Sequence, residues 1–310
     1  MRAFIFPGQG SQSVGMGGAL AAASGAARAV FEEVDDALGD RLFRLMTEGP
    51  DDRLTLTENA QPAIMANAIA TLAVLGSDGV RLADKADYVA GHSLGEYSAL
   101  HAAEAFSLAT TARLLRLRGQ AMQAAVPVGE GAMAVLLGLD FDQARAVAEE
   151  AAQGEVCEAA NDNGGGQVVV SGHAGAVERA IEIAKSKGAK RAILLPVSAP
   201  FHCRLMQPAA DAMAEALGQT ALRAPLVPVY ANVTAAPASG PDEIRDLLVR
   251  QVTGTVRWRE SVEAMVAAGV DEFVEFGGKV LGPMVRRIAP DAKVTSVVSM
   301  DDIEALAKEI

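Results

Sequence analysis

The stretch from Tyr88 to Tyr97 constrains the fold of this chain more than any other segment. A run of strand formers ends at Ala90, residues 91–95 read GHSLG, and an alanine-rich helical pattern follows. A G-x-S-x-G sequence between a strand and a helix is typical of a nucleophile elbow, the sharp turn that exposes a serine hydroxyl. Glycines flank the serine because the turn strains the backbone and leaves no room for side chains. The stretch therefore predicts an α/β fold with a parallel sheet and Ser93 as a nucleophile.

Length and composition limit the classes of protein to which the chain can belong. A chain of 310 residues is long for one hydrophobic core, so we expect a large domain and a smaller one. The net charge of -12 argues against nucleic acid as a partner, because binding a phosphate backbone needs a basic surface. Cys157 and Cys203 lack a C-x-x-C spacing, and no apolar core of a secretion signal follows Met1. With no apolar run of about 18 residues, these features predict a cytoplasmic location and no membrane partner.

The first strand, predicted over residues 3–6, ends in a glycine-containing loop that reads PGQGSQ at residues 7–12. Loops at the carboxyl ends of parallel strands form the ligand crevice of open α/β sheets, so this loop is expected beside Ser93. A dinucleotide-binding loop is excluded because Ser13 stands where G-x-G-x-x-G requires its last glycine. Apolar spacing and turn residues further predict helices over 25–45, 62–75, 107–125, 207–217, 241–251, 260–268 and 279–288, and strands over 227–232 and 272–276.

Residues 126–198 have the pattern of a separate small domain. A glycine-containing linker precedes strand 132–138, helix 141–152, strands 155–160 and 167–171, helix 174–187 and strand 190–197. The order βαββαβ is the split βαβ arrangement of ferredoxin-like folds. We therefore expect a large α/β-hydrolase-like catalytic domain formed by residues 1–125 and 199–310, with a ferredoxin-like subdomain inserted at 126–198.

The general base for Ser93 can be chosen among four histidines. His92 lies within the elbow and should point away from the hydroxyl, and His101 lies about 12 Å along the elbow helix. His173 is predicted to begin a helix of the inserted subdomain. His202 comes just past a strand, where the chain returns to the large domain and where partners of an elbow serine are normally found. We therefore predict His202 as the base, and then as the acid that protonates the leaving thiol.

The group that orients His202 is less well defined by the sequence. A hydrolase has an aspartate or glutamate between its serine and its histidine, but the acidic residues of 126–198 lie in the inserted subdomain. A later carboxylate such as Asp211 is one alternative, although nothing singles it out. Gln251 is the other, because backbone carbonyls at the end of a helix lack helical partners and can accept an imidazole N–H.

Arg118 presents two alternatives. On its predicted helix it falls on the apolar stripe with Leu114, Leu115 and Met122 rather than on the polar face. A buried guanidinium needs an anion, because an unpaired buried charge is very costly. Either a carboxylate of this chain forms a structural ion pair with Arg118, or the guanidinium binds a substrate carboxylate through two hydrogen bonds. The sequence alone slightly favours the ion pair and leaves both open.

Five segments together resemble one family. They read FPGQGSQ at 6–12, GHSLGEYS at 91–98, RGQAM at 118–122, GQVVVSG at 166–172 and PFH at 200–202. Through them nearly the whole chain resembles the malonyl-CoA:acyl carrier protein transacylases of bacterial type II fatty-acid synthesis, and the related acyltransferase domains of polyketide synthases. The resemblance implies transfer of a malonyl group from malonyl-CoA, through Ser93, to the phosphopantetheine thiol of acyl carrier protein. A serine esterase or thioesterase with the same elbow is the alternative.

The resemblance also implies roles for individual residues. Ser93, His202 and Gln251 form the catalytic set, and Gln9 with the backbone N–H of Leu94 forms the oxyanion hole. Arg118 holds the free malonyl carboxylate, and the other expected substrate-binding residues are Phe201, His92, Asn161 and Asn163. The bulky Phe201 before the base favours malonyl over branched acyl groups. No cofactor and no metal is expected, and we expect a monomer.

Docking of the carrier protein requires a local basic patch, since carrier proteins of this family are acidic and this chain is acidic too. Lys185, Lys187, Lys190 and Arg191 cluster near the end of the inserted subdomain. We take Lys190 and Arg191 as candidate docking residues, with an ordinary solvated surface as the alternative.

Overall fold

The computed structural model describes residues 1–77, 79–197 and 199–310. Its strands are, in chain order, β1 (Arg2–Phe6), β2 (Tyr88–Gly91), β3 (Gly131–Leu137), β4 (Cys157–Asp162), β5 (Gln167–His173), β6 (Arg191–Leu194), β7 (Val229–Ala231), β8 (Ala236–Ala238), β9 (Glu272–Phe276) and β10 (Lys293–Val297). Within the described ranges the larger sheet has six strands in the order β10-β9-β1-β2-β7-β8. Neighbouring strands are parallel except β7 and β8, which are antiparallel. The predicted α/β fold with a parallel sheet is therefore confirmed.

The helices cover both faces of this sheet and one face of the smaller one. They are α1 (Gly18–Ala23), α2 (Gly25–Leu38), α3 (Leu42–Glu48), α4 (Asp51–Thr55), α5 (Thr57–Ser77), α6 (Leu82–Lys85), α7 (Gly95–Ala102), α8 (Leu108–Ala125), α9 (Phe141–Ala152), α10 (Ala174–Ser186), α11 (Gln207–Gly218), α12 (Pro241–Thr253), α13 (Trp258–Ala267), α14 (Leu281–Ile288) and α15 (Met300–Glu309). A single 3₁₀ turn among the described residues spans Arg204–Met206.

Strand β1 shows why the sheet is buried on both faces. Successive side chains of a strand point to opposite faces, so Phe4 and Phe6 join the core beneath α5 and α8. Ala3 and Ile5 join the opposite core, which is built around Trp258. Burial on both faces is what a parallel sheet covered by helices requires, and it explains the uninterrupted apolar sequence of the strand.

Helix α5 is the central helix of the larger core. By length and composition it is apolar enough to cross a membrane, with a mean hydropathy of 1.3. No segment of this kind was expected from the sequence. However, 78% of its most apolar window is buried inside the protein, as in the core helices of soluble proteins. Helix α8 packs closely on it at Gly119, where a Cβ would lie 2.5 Å from the Cα of Glu58. This close approach buries the neighbouring Arg118 between the two helices.

The smaller sheet has the order β4-β5-β3-β6 and is antiparallel throughout. Its elements follow the chain in the order β3, α9, β4, β5, α10 and β6. Helices α9 and α10 cover one face. Strand β4 is joined to the segment between α12 and α13 by two backbone hydrogen bonds, Val256 N–H to the Ala160 carbonyl and Asp162 N–H to the Val256 carbonyl, each of 2.9 Å. The predicted boundary at residue 198 lies outside the described residues.

Several predicted elements differ from the structure. The helix expected over 25–45 is two helices, because Gly39 adopts a left-handed φ of 59° and ends α2. The helix expected from Pro62 begins five residues earlier, at Thr57, with the proline inside it. The strand expected over 190–197 ends at Leu194. Strand β10 and helix α15 were not predicted, because the partly exposed strand lacks a long apolar run.

Candidate active site

The nucleophile elbow lies between β2 and α7. Ser93 adopts a left-handed φ of 54°, the strained conformation expected of a serine on this turn. A Cβ on Gly91 would lie 1.9 Å from the carbonyl oxygen of Gly95, and a Cβ on Gly95 would lie 2.2 Å from that of Phe6. No side chain fits in either place, so the structure explains both glycines of the motif.

His202 contacts the nucleophile directly. Its Nε2 lies 2.7 Å from Ser93 Oγ, and its Nδ1 lies 2.9 Å from the backbone carbonyl oxygen of Gln251. A carbonyl oxygen can only accept, so Nδ1 has the proton and Nε2 accepts from the serine hydroxyl. Burial, and next the charge of Arg118, lower the pKa of His202 to about 3, so the imidazole is neutral at neutral pH. The arrangement can therefore take the serine proton as the hydroxyl attacks.

The route by which His202 reaches the site differs from the expectation. The strand that precedes it is β6 of the smaller sheet, not a strand of the larger one. His202 lies in the segment between β6 and the turn at Arg204–Met206, with a left-handed φ of 57°. The other histidines have separate partners: His92 Nε2 pairs with Asn163 Oδ1 at 2.9 Å, His101 Nδ1 with the Phe106 carbonyl at 3.0 Å, and His173 Nδ1 with the Val156 N–H at 2.9 Å.

Arg118 is buried beside the nucleophile, with 1% of its surface exposed. Its Nη2 donates to Ser93 Oγ at 3.1 Å and to Gln251 Oε1 at 2.8 Å, and its Nη1 donates to Gln61 Oε1 at 2.7 Å. Within the part of the chain that the structure describes, no carboxylate forms an ion pair with it and its Nε has no hydrogen-bond partner. The structural ion pair that the sequence slightly favoured is therefore wrong. Burial also lowers the pKa of this guanidinium.

Three further residues organise the site, and the sequence did not single them out for it. Asn232 follows β7 and accepts a hydrogen bond from the backbone N–H of Ser93 at 2.8 Å. Glu96 accepts from the backbone N–H of Asn232 at 3.0 Å and from Gln251 Nε2 at 2.9 Å. Gln61, on α5, holds Arg118. The available signals were positional: Asn232 closes a predicted strand, and Glu96 follows the last glycine of the elbow.

A cavity of about 300 Å³ opens above Ser93 and His202. Of the expected residues, it brings together Gln9, His92, Leu94, Arg118, Asn161, Phe201, Ser93 and His202. Gln9 follows β1 and its Oε1 accepts from the Thr57 hydroxyl at 3.2 Å, while Leu94 is the N-cap of α7. Asn161 lies on β4, one residue beyond the strand predicted over 155–160, and Asn163 contacts the site through His92. The strand ends of β1, β2 and β7 thus meet at one crevice.

The basic residues expected to dock a partner lie on the smaller sheet, away from this network. Lys190 and Arg191 are exposed, and in the described ranges neither has an ion-pair partner. Lys185 and Lys187, in contrast, pair with Glu182 and Glu150.

Comparison with known proteins identifies the family. The model of the acyl transferase domain matches residues 3–278. The chain is 45% identical over 309 residues to a malonyl CoA-acyl carrier protein transacylase of Escherichia coli strain K12, covering 99% of both sequences. Its structure matches an acyl-carrier-protein-S-malonyltransferase of Bartonella henselae with a TM-score of 0.97 and 56% identity, over 99% of this chain and 98% of that one.

A second solved structure is a malonyl-transacylase in complex with a type II PKS acyl-carrier protein. It matches with a TM-score of 0.96 and 40% identity, over 100% of this chain and 99% of that one. The family match spans most of the chain, and the sequence and structure matches span nearly all of it. The chain therefore belongs to the acyl transferase domain family, in the group of malonyl CoA-acyl carrier protein transacylases.

Proposed function

We propose that this protein is an acyl-carrier-protein S-malonyltransferase that works through a malonyl ester on Ser93. His202 removes the Ser93 proton as the hydroxyl attacks the thioester of malonyl-CoA, and then protonates the leaving thiol. Gln9 and the backbone N–H of Leu94 stabilise the negative charge on the thioester oxygen, helped by the N-terminus of α7. The reverse sequence moves the malonyl group to the phosphopantetheine thiol of acyl carrier protein. No step needs a cofactor.

The observation that best supports malonyl as the acyl group is the guanidinium of Arg118. It is buried 3.1 Å from the attacking oxygen and is held by the neutral oxygens of Gln61 and Gln251. A buried cation that no carboxylate of the described residues contacts directly favours a substrate that brings one, and malonyl ends in a free carboxylate. An acetyl group does not. Phe201 lines the same cavity and limits its width, which favours an unbranched acyl group.

A serine esterase or thioesterase would use the same elbow with water as the acceptor. The acceptor for His202 Nδ1 here is a neutral backbone carbonyl rather than an aspartate, which is unusual for a hydrolase. Intact-mass measurement after mixing with malonyl-CoA separates the two functions. A malonyl adduct that persists until holo carrier protein is added supports transfer, whereas rapid release of free malonate would support hydrolysis.

Replacement of Arg118 by alanine is expected to lower malonyl transfer by about 10- to 100-fold. A charge-assisted hydrogen bond contributes about 1.5–3 kcal/mol, and each ~1.4 kcal/mol is a factor of ten. Acetyl transfer should fall less, or rise, because acetyl makes no use of the charge. The measurement is kcat/KM for malonyl-CoA and acetyl-CoA in both proteins.

Two variants on the same helix serve as controls for Arg118. Arg118→Lys should recover only part of the malonyl activity, because an ammonium cannot reproduce two parallel hydrogen bonds. Arg116 pairs with Asp40 near the surface, and Arg116→Ala should leave the malonyl preference unchanged. If Arg118→Ala lowers both substrates by the same factor, the guanidinium is structural and malonyl specificity has another origin.

We also propose the finer organisation expected from the sequence. The strand, turn and helix around Ser93 support a hydrolase-like catalytic domain of residues 1–125 and 199–310. The antiparallel strand order β4-β5-β3-β6 supports a ferredoxin-like subdomain at 126–198, as do the helices α9 and α10, which connect its strands and cover one face of the sheet. A cytoplasmic location and a monomeric state stay predictions.

Lys190 and Arg191 are proposed to dock the acidic carrier protein. They are exposed cations without carboxylate partners among the described residues, on an otherwise acidic protein. Lys190→Glu with Arg191→Glu is expected to raise the KM for carrier protein several-fold and to leave formation of malonyl-Ser93 from malonyl-CoA unchanged. Steady-state transfer and single-turnover acylation measure the two half-reactions.

The matched control for docking is Arg44→Glu with Arg81→Glu, which changes the net charge equally at two exposed sites of the larger unit. It should raise this KM much less. An equal loss in both half-reactions, or an equal effect of the control, would count against docking at Lys190 and Arg191.

A further inference from the structure

Glu96 is a buried carboxyl group that the steps above do not use. It lies in the first turn of α7, with 2% of its surface exposed. Its Oε2 accepts from the backbone N–H of Asn232 and from Gln251 Nε2. Asn232 Oδ1 in turn accepts from the Ser93 N–H, and the Gln251 carbonyl accepts from His202. One carboxyl oxygen therefore connects the groups that hold the nucleophile and the base.

These contacts fix the orientation of the Gln251 amide. Its Nε2 faces three acceptors: Glu96 Oε2, the Ser93 carbonyl at 3.0 Å and Asn232 Oδ1 at 3.3 Å. A flipped amide would place its own oxygen against these oxygens. Gln251 Oε1 is therefore directed at Arg118, whose Nη2 it holds within 3.1 Å of Ser93 Oγ.

The same contacts link two buried ionisable groups, Glu96 and Arg118, through the Gln251 amide that lies between them. Burial raises the pKa of Glu96 to about 7, against the lowering effects of Asn232, Gln251 and the charge of Arg118. Among the described residues Tyr97, on the same helix, and His202, across Ser93 Oγ from Arg118, are also titratable groups near the pair. Burial raises the pKa of Tyr97 and lowers that of His202, so both stay neutral. Helix α12 faces Glu96 with the neutral side-chain amide of Gln251, and the end of β7 faces it with the backbone N–H of Asn232.

We propose that Glu96 is a positioning residue whose carboxyl group is the counter-charge of Arg118 in the empty site and takes up a proton when a malonyl carboxylate binds Arg118. This inference rests on the proposed function. Two carboxylates around one buried guanidinium leave an uncompensated negative charge, which a proton from solvent on Glu96 removes. The protonated group can still accept from Asn232 and Gln251, so the amide keeps its orientation. An acetyl group adds no charge and needs no proton.

The test is the pH dependence of malonyl preference, expressed as kcat/KM for malonyl-CoA divided by kcat/KM for acetyl-CoA. Ionisation of Ser93 and His202 affects both substrates and cancels in this ratio. In the wild type the ratio is expected to fall as pH rises through about 7, by at most about tenfold per pH unit, because one proton is coupled. Glu96→Gln cannot ionise but can accept the same two hydrogen bonds, so its ratio should be independent of pH.

Proton uptake is the second readout and needs no variant. An indicator dye in weak buffer near pH 7 should report proton uptake of at most one proton per site on mixing with malonyl-CoA, since the Glu96 carboxylates that are ionised there become protonated. Acyl transfer itself releases no proton at this pH, because the Ser93 proton leaves with the neutral thiol of coenzyme A. Acetyl-CoA should give no uptake.

Glu275→Gln is the matched control. Like Glu96, Glu275 is buried, and it lies near the end of β9 in the larger sheet. Its carboxylate accepts from backbone N–H groups at the start of α14, so its variant should keep the pH dependence of the ratio. A flat wild-type ratio with no proton uptake would overturn the inference. Equal losses for both substrates in Glu96→Gln, with the slope retained, would also do so, because they indicate a purely structural residue. The proposed function fails separately, through an equal effect of Arg118→Ala on both substrates.

Discussion

Replacement of Ser93 by alanine is expected to abolish acyl transfer and to leave the protein folded. The substitution removes the hydroxyl that lies 2.7 Å from His202 Nε2, and loss of the nucleophile from a serine–histidine pair lowers turnover by about 10⁶-fold. Alanine keeps the Cβ of serine, so the left-handed backbone gains no additional strain. The measurements are transfer to holo carrier protein and intact mass after mixing with malonyl-CoA.

Ser98→Ala is a matched control for Ser93. Ser98 is fully buried on α7, the helix that follows the Ser93 turn, and among the described residues its hydroxyl has no hydrogen-bond partner. Its variant should acylate like the wild type. A malonyl adduct or near-normal turnover in Ser93→Ala would eliminate the proposed mechanism.

Replacement of His202 by alanine is expected to lower transfer by roughly two to four orders of magnitude, which is the usual contribution of positioned proton transfer. The loss should appear in the rate of malonyl-Ser93 formation rather than in binding of malonyl-CoA, because the imidazole contacts the attacking oxygen. Single-turnover acylation at saturating malonyl-CoA measures this rate.

His101→Ala is the control for His202. His101 is bonded to the Phe106 carbonyl and lies farther along the elbow helix, so its variant should keep most of the acylation rate. If His101→Ala removed acylation and His202→Ala did not, the base would be wrongly assigned.

The sequence predicts the parts of this site that depend on local patterns. The elbow follows from glycine spacing between a strand and a helix, and the burial of Arg118 follows from its position on an apolar helical stripe. The sequence places His202 near Ser93 for a partly wrong reason, because the strand before it belongs to the smaller sheet. Its contact with Ser93 spans 109 residues, and no local pattern encodes such a distance.

Glu96 and Asn232 act through long-range polar contacts and could not be found in this way. Glu96 is 155 residues from its partner Gln251, and Asn232 is 139 residues from its partner Ser93. Both are ordinary polar residues in the sequence, and only the packing of β2, β7, α7 and α12 shows which groups they meet. The last strand and helix were missed for a different reason, since a short, half-exposed edge strand has weak apolar alternation.

The division of the cavity wall between the two sheets has a consequence for engineering. Arg118, Gln251 and Glu96 stand on helices that pack with the larger sheet and Ser93 on the turn after β2, whereas Met133 and Asn161 stand on strands of the smaller sheet. Leu195 and Pro196 continue the wall beyond β6. A chimera that exchanges the smaller sheet for that of a relative would therefore alter the shape offered to the acyl chain and keep the reacting groups. Chain-length tolerance and chemical competence can vary independently in such a scaffold.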